Sequence, residues 1–115
     1  MILSNASARH LFLHRHGLTE ARSGAVSSGA ISRLIDRIGF VQVDSINTVE
    51  RAHHMILWTR RTSYRPPVLK PLLEQDRALF EHWTHDASIL PIALFPHWKH
   101  RFARDSTRLH QSWQR

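Results

Sequence analysis

A change in the spacing of apolar residues, from helical to alternating, is the strongest constraint on the fold of this 115-residue chain. Four aliphatic residues recur at intervals of three and four, and they are Ile31, Leu34, Ile35 and Ile38. This spacing predicts a helix buried along one stripe, capped at its start by Ser27 or Ser28 and ended by Gly39. Residues 40–46 then alternate apolar and polar side chains, which is typical of a short strand with one buried face. We therefore predict a helix that leads directly into a strand of the same core.

The segments on either side of this helix and strand are also predicted from local patterns. A first helix covers residues 4–16, and residues 19–29 are rich in Ser, Ala and Gly, which indicates a loop. Asn47 begins a third helix, because Glu50 follows it at the spacing of a capping box. This helix is predicted to end near residues 60–61.

The second half of the chain is predicted less sharply. After a turn at residues 64–67, a fourth helical stretch runs through residues 72–83, residues 85–96 are extended or irregular, and residues 97–115 are compatible with a helix. Three or four short helices with one or two strands predict a mainly α fold of the winged-helix or helix-turn-helix type.

The tail is predicted to be a separate unit. We expect a winged-helix-like domain over residues 1–95 and a basic C-terminal helix over residues 96–115. The apolar residues of this tail are sparse, and they are Trp98, Phe102, Leu109 and Trp113. So thin a stripe is typical of a helix that packs against something outside the chain. We therefore expect a truncated piece of a longer architecture, or a second chain that completes it.

The charge of the chain indicates a polyanionic partner. Lys and Arg number 16 and Asp and Glu number 9, a net charge of +7 with neutral histidines. Most of these bases are Arg, whose planar guanidinium matches phosphate oxygens and stacks on bases, although genome composition alone would give the same bias. The chain has no Cys, which excludes disulfide scaffolds, thiolate metal sites and thiol nucleophiles. Its longest apolar run, residues 89–95, is too short to span a membrane, and we expect a cytoplasmic protein.

Three separated blocks of the sequence resemble one family of bacterial enzymes. The blocks are residues 40–47 (FVQVDSIN), 51–60 (RAHHMILWTR) and 79–91 (LFEHWTHDASILP). They are similar, in order and spacing, to the winged-helix AlkZ-like (YcaQ-like) DNA glycosylases, and the similarity extends over roughly residues 4–102. The resemblance implies double-stranded DNA as the partner, excision of N7-alkylated purines and unhooking of interstrand crosslinks. Members of this family are longer, and the chain resembles their N-terminal third.

The catalytic motif implied by this resemblance is Gln, an apolar residue, then Gln or Asp, and here it reads Gln42-Val43-Asp44. On an extended segment, residues i and i+2 project from one side about 7 Å apart, with Val43 on the other side in the core. An N7-alkylated purine is already cationic, so its glycosidic bond breaks without a general acid. We predict that Asp44 stabilises the oxocarbenium-like sugar and accepts a proton from a water that Gln42 orients. The alternative is that both are polar residues on the open face of an edge strand, with Asp44 capping the next helix.

Further side chains are candidates for contacts with DNA, and they are Arg51, His54, Arg60, Arg61 and His85. The arginines could contact phosphates, although a solvated helix end explains the last two nearly as well. His53 falls on the apolar stripe of its helix and is expected to be packed, whereas His54 lies off it. His85 and Asp86 are expected to line the same concavity, as a hydrogen-bonded pair or through ordinary packing.

Three histidine pairs have the helical spacing of metal ligands, and they are His10 with His14, His82 with His85, and His97 with His100. No HExxH pattern accompanies them, so we expect no metal and no cofactor.

Two other functions remain open at this point. A basic winged-helix module could bind DNA without chemistry, in which case neither Gln42 nor Asp44 matters. A truncated remnant that folds poorly is the other possibility, and it predicts a broad thermal transition.

Overall fold

The computed structural model describes residues 2–113, apart from the side chain of Ser112. Over that range the helices are α1 (Asn5–Arg15), α2 (Ser28–Ile38), α3 (Ala52–Arg60), α4 (Leu69–Glu74) and α5 (Phe95–Trp113). The strands are β1 (Val41–Gln42), β2 (Leu79–Trp83) and β3 (Ala87–Pro91). Short 3-10 turns at Pro66–Val68 and Ile92–Leu94 precede α4 and α5.

The three strands form one antiparallel sheet in the order β1-β3-β2. β2 and β3 are a hairpin in which Leu79 pairs with Pro91 and Trp83 pairs with Ala87. β1 adds to the other edge of β3, with Gln42 opposite Ser88. A helix, a strand, two helices and a hairpin therefore follow one another, as in a winged helix, and the predicted mainly α fold with short strands is confirmed.

The core lies between α2 and the sheet. The predicted stripe is confirmed, since Ile31, Leu34 and Ile35 of α2 are buried. They pack with buried residues from the following helices and strands up to β3 and from the loop after α3, and these are Val41, Leu57, Tyr64, Leu69, Leu72, Leu79 and Ile89. Burial of each such aliphatic side chain contributes roughly 1.5–3 kcal/mol, so this cluster dominates the stability of the fold.

α2 has the predicted ends. The Ser27 hydroxyl oxygen accepts a hydrogen bond from the backbone N–H of Ala30 at 3.2 Å. At the other end, Gly39 has a φ of +89°, which favours glycine, and its N–H donates to the carbonyl oxygen of Ile35 at 2.9 Å. Because α2 ends sharply at this point, only two residues separate it from β1.

α1 lies on the outside of the molecule, and none of its residues is buried. It begins as predicted, with the Ser4 hydroxyl oxygen accepting from the N–H of Ser7 at 3.1 Å. Gly17 follows it with a φ of +68°, and a Cβ at this position would lie 3.0 Å from Leu34 Cδ1. The chain after α1 therefore reaches the core only because residue 17 has no side chain.

The third helix begins five residues later than predicted, at Ala52 instead of Asn47. Its N-cap is Arg51, whose side chain makes no capping hydrogen bond, and the Glu50 carboxylate accepts from the N–H of Arg51 at 2.8 Å. The predicted capping box is therefore wrong. The physical reason is local, because a Glu50 carboxylate bound to the N–H of the next residue does not reach back to the N–H of Asn47, as a capping box requires.

Residues 79–83 were predicted as part of a helix and form β2 instead. α4 stops at Glu74, and Arg77 takes a positive φ of 49° that turns the chain back. Pairing of β2 with β3 then satisfies the backbone of both segments, and this non-local gain overrides the local helical spacing. The predicted strand at residues 40–46 is correspondingly shorter, since ladder pairing in β1 covers only Val41 and Gln42.

α5 packs against the outer face of the hairpin. The Phe80 ring lies 5.4 Å from that of Phe95 and 6.1 Å from that of Trp98, and the ring of His82 lies 4.8 Å from that of Phe102, all centroid to centroid. The end of the helix is different, because Trp113 is 87% exposed. The predicted tail helix ran to Arg115, and its last two residues lie outside the described residues. None of the helices within residues 2–113 combines the length and apolar character that crossing a bilayer requires.

Candidate active site

Gln42 lies at the end of β1, where the strand leaves the core. Its neighbour Val41 is 1% exposed and anchors the strand, whereas Gln42 is only half-buried. The side-chain Nε2 of Gln42 donates a hydrogen bond to Oδ2 of Asp86 at 3.1 Å. This contact joins β1 to the turn of the hairpin and restricts the side-chain amide of Gln42, which is a predicted catalytic residue.

Asp44 follows one residue after the last backbone bond to the hairpin, in which the N–H of Val43 donates to the carbonyl oxygen of Ala87 at 2.8 Å. Its side chain is half-buried, and its Oδ1 accepts the N–H of Ile46. Within residues 2–113, no hydrogen bond occupies Oδ2. The carboxylate therefore combines a local turn contact with one oxygen that is open to a water or a cationic ligand.

The alternation predicted for this segment is present. Val41 is buried and Val43 packs against the core cluster, while Gln42 and Asp44 each retain exposed surface. An amide and a carboxylate at the end of one strand can together bind and deprotonate a water molecule.

His53 is the buried titratable group nearest in sequence to this segment. It is 5% exposed, as predicted for a packed residue, and its Nδ1 has no hydrogen-bond partner within the described chain. Burial lowers the pKa of His53 to about 4, with smaller contributions from the positive charges of His54 and Arg51. The negative charges of Glu50 and Asp44 act to raise the pKa of His53. Asp44 is therefore close enough to interact electrostatically with the neutral His53 imidazole.

His54 turns towards the loop after α3. Its Nδ1 is hydrogen-bonded to the hydroxyl oxygen of Tyr64 at 2.8 Å, and burial lowers its pKa. Burial also raises the pKa of the Tyr64 hydroxyl, which is therefore protonated and available as a donor to the imidazole. This internal bond occupies one of the two ring nitrogens of a residue predicted to contact DNA.

Two of the arginines predicted to contact phosphates have partners within the protein. Arg60 is half-buried, and its Nε donates to the carbonyl oxygen of His16 at 2.7 Å, while its Nη1 donates to that of Ile56 at 3.0 Å. Burial lowers the pKa of Arg60. Arg61 forms an ion pair with Glu20, whose pKa is lowered by hydrogen bonds from Arg61 and Arg37.

The other two predicted contacts are exposed. Arg51 lies at the start of α3 with an exposed side chain. His85 lies in the β2–β3 turn, 3.3 Å from the Thr84 hydroxyl oxygen, and its ring meets that of Phe40 edge to face at 6.0 Å. The structure thus brings His85 into the same turn as Asp86, but the side-chain contact that Asp86 makes outside this turn is the hydrogen bond from Gln42 to its Oδ2.

Asp86 is the residue that sequence reasoning placed near the site without a role. The signal was its position in the third block of the resemblance, yet its contact with Gln42 spans 44 residues and depends on strand pairing. Among the described residues, no group of three or more His, Asp or Glu side chains has the arrangement of a metal site.

The comparison with protein families gives an independent result. The family model described as DNA glycosylase AlkZ-like matches residues 35–115, which is most of the chain and includes β1, the hairpin and α5. No solved structure matches the chain significantly. The chain therefore belongs to the AlkZ-like DNA glycosylase family, and its general function is that of a DNA-binding, DNA glycosylase-like repair protein.

Proposed function

We propose that this chain hydrolyses the N-glycosidic bond of N7-alkylated purines in duplex DNA, including purines joined in interstrand crosslinks, in the cytoplasm of a bacterium. The observation that carries the proposal is the burial pattern around β1: Gln42 at its end and Asp44 just after it are half-buried polar side chains, whereas Val41 is buried and Val43 packs against the core cluster. The match of the family model to residues 35–115 supports it, because that range includes both side chains.

The chemistry needs no acid for the leaving group. As the C1′–N9 bond breaks, its electron pair neutralises the cationic base, and positive charge develops on the sugar. The Asp44 carboxylate would stabilise that charge through its free Oδ2 and take the proton that water releases on attacking C1′. Gln42 would hold the water through its side-chain carbonyl oxygen. One carboxylate and one amide are enough, whereas glycosidases with poor leaving groups need two carboxylates.

DNA binding would rest on the excess of positive charge. The net charge is +7, and exposed cations along α5 add to Arg51, namely Lys99, Arg104 and Arg108. Each phosphate contact releases condensed counterions, so the affinity should fall steeply with salt.

The test is release of N7-methylguanine from alkylated duplex DNA by the purified chain. Asp44→Asn is the decisive variant, because an Asn oxygen can still accept the N–H of Ile46 while the charge is lost. We expect its rate to fall by about 100-fold or more, and Gln42→Ala should also be slow. Asp76→Asn removes an exposed carboxylate outside the site and serves as the matched control. Equal release by wild type and Asp44→Asn would reject catalysis by this chain.

A non-catalytic DNA-binding module is the second candidate. The observation in its favour is the Asp44–Ile46 turn, which gives the carboxylate a structural role that needs no chemistry. This alternative predicts salt-dependent binding of DNA that is unchanged by Asp44→Asn, with no base released by any variant.

A further inference from the structure

The turn of the hairpin is held by a dense set of hydrogen bonds around Asp86. Its carbonyl oxygen accepts the N–H of Thr84 at 2.9 Å and the hydroxyl of Ser88 at 3.0 Å. The two hydroxyl oxygens of Thr84 and Ser88 are themselves 2.9 Å apart, and Ser88 is buried. The backbone at Asp86 is therefore fixed, and its carboxylate has a defined direction.

The carboxylate oxygens of Asp86 have different partners. Oδ1 accepts the N–H of Ala87 at 2.8 Å, which is a contact within the turn. Oδ2 accepts Nε2 of Gln42 at 3.1 Å, which is a contact across the sheet. The turn is closed by backbone bonds and by Oδ1, so the bond from Oδ2 is not needed to form the hairpin.

An ionised carboxylate only accepts hydrogen bonds, and this decides the orientation of the Gln42 amide. The NH₂ group must face Asp86, because a carbonyl oxygen there would be repelled. The side-chain carbonyl oxygen of Gln42 consequently points away from Asp86. If the amide flipped, it would present donors where the proposed reaction needs an acceptor for a proton of the attacking water.

We propose that Asp86 is a positioning residue that holds the Gln42 amide in the one orientation able to accept a hydrogen bond from the attacking water. The effect of Asp86 on catalysis rests on the proposed function. The orientation of the Gln42 amide does not, because it is a property of the free protein. Asp86 touches no reacting atom and acts only through Gln42.

The substitution Asp86→Asn tests the orientation because it preserves size. The Asn oxygen can replace Oδ1 and accept the N–H of Ala87, and its NH₂ then faces Gln42. The Gln42 amide would turn its oxygen towards Asn, leaving its NH₂ towards the site. We expect kcat for base release to fall by about 10- to 100-fold, with KM little changed. Glu81→Gln, an exposed carboxylate on the same hairpin, is the matched control and should keep the wild-type rate.

A reciprocal exchange separates orientation from a general loss of structure. In Gln42→Glu alone, two carboxylates face each other and repel. In the double variant Gln42→Glu with Asp86→Asn, the NH₂ group of the Asn donates to one carboxylate oxygen of the Glu, and the other Glu oxygen remains towards the site. We expect the double variant to be at least about fivefold faster than either single variant. A double variant no faster than the slower single variant would overturn the proposal.

A readout in the free protein keeps this test independent of the proposed function. The side-chain amide NMR signals of Gln42 should move between the wild type and Asp86→Asn, because the hydrogen bond from its NH₂ group to the carboxylate is lost, whereas Glu81→Gln should leave them in place. If the signals move but no variant releases base, the proposed function fails and the contact stands. If base is released and Asp86→Asn matches the wild type, the positioning role is rejected.

Discussion

The guanidinium of Arg60 donates a 2.7 Å hydrogen bond to the carbonyl oxygen of His16, a residue 44 positions earlier in the chain. This bond joins the end of α1 to the end of α3, and the same side chain also binds the carbonyl oxygen of Ile56. α1 has no buried residue, so polar contacts of this kind carry much of its attachment. Arg60 is therefore a structural residue in the free protein.

Arg60→Ala should lower the free energy of unfolding by about 1.5–3 kcal/mol, because it removes charge-assisted hydrogen bonds and leaves the His16 carbonyl oxygen without its donor. The midpoint of urea denaturation measures this change. Arg9→Ala removes an exposed cation of α1 and should leave the midpoint within experimental error. An Arg60→Ala protein as stable as the wild type would contradict the assigned role.

Arg51 is expected to behave in the opposite way. Its exposed side chain should contact a phosphate, so Arg51→Ala should reduce the slope of log affinity against log salt concentration by about 1. Its stability should stay near that of the wild type, since its side chain does not cap α3. Fluorescence anisotropy with duplex DNA at several salt concentrations gives the slope. A slope identical to that of the wild type would place the phosphate contact elsewhere.

His53 should make the protein sensitive to acid. Its folded pKa of about 4 lies below the ordinary 6.5, so between these values the unfolded chain binds a proton that the folded chain does not. Stability should be complete above pH 6.5 and fall as the pH approaches 4, by on the order of 3 kcal/mol. The lowered pKa of His54 contributes in the same direction.

The pH dependence of urea unfolding tests this assignment. His53→Leu should flatten the profile between pH 6.5 and 4, because it removes the buried proton acceptor, whereas His97→Gln, an exposed histidine, should not. Glu20, whose pKa is lowered, loses its contribution only below its ordinary 4.5 and so acts at the edge of this range. A His53→Leu protein with an unchanged slope would assign the acid sensitivity to other groups.

Two glycines at opposite ends of α2 should respond with opposite signs. Gly39 has a φ of +89° and open space around a Cβ, so Gly39→Ala costs about 1 kcal/mol or more from backbone strain alone. Gly29 lies within the helix, and a Cβ there would be 3.4 Å from the flexible end of Arg33, so Gly29→Ala should stabilise by about 0.5–1 kcal/mol. Thermal denaturation of the two variants compares them directly. Destabilisation of equal size in both would contradict this account.

The parts of the fold that follow from neighbouring residues could be predicted from the sequence. α2 and its caps depend on contacts within a few residues, and the burial of Val41 and Val43 depends on simple alternation. β2 could not be predicted in this way, because its residues are extended only through pairing with β3.

The same distinction applies to the candidate site. Gln42 and Asp44 were found because they are only two residues apart, in the motif that the resemblance implies, and their catalytic role remains a prediction. The contact between Gln42 and Asp86 became visible only once the sheet brought the two segments together. The internal partners of Arg60 and Arg61 were missed for the same reason, since they come from a loop and a helix end far away in sequence.

The packing of α5 on the hairpin has a mechanical consequence. Arg101 of this helix donates to the carbonyl oxygens of Trp83 at 2.8 Å and of Thr84 at 3.3 Å, and Thr84 lies two residues before Asp86. These hydrogen bonds join the helix directly to the tip of the hairpin. A displacement of α5 would therefore reach Asp86 and, through its hydrogen bond with Gln42, the end of β1.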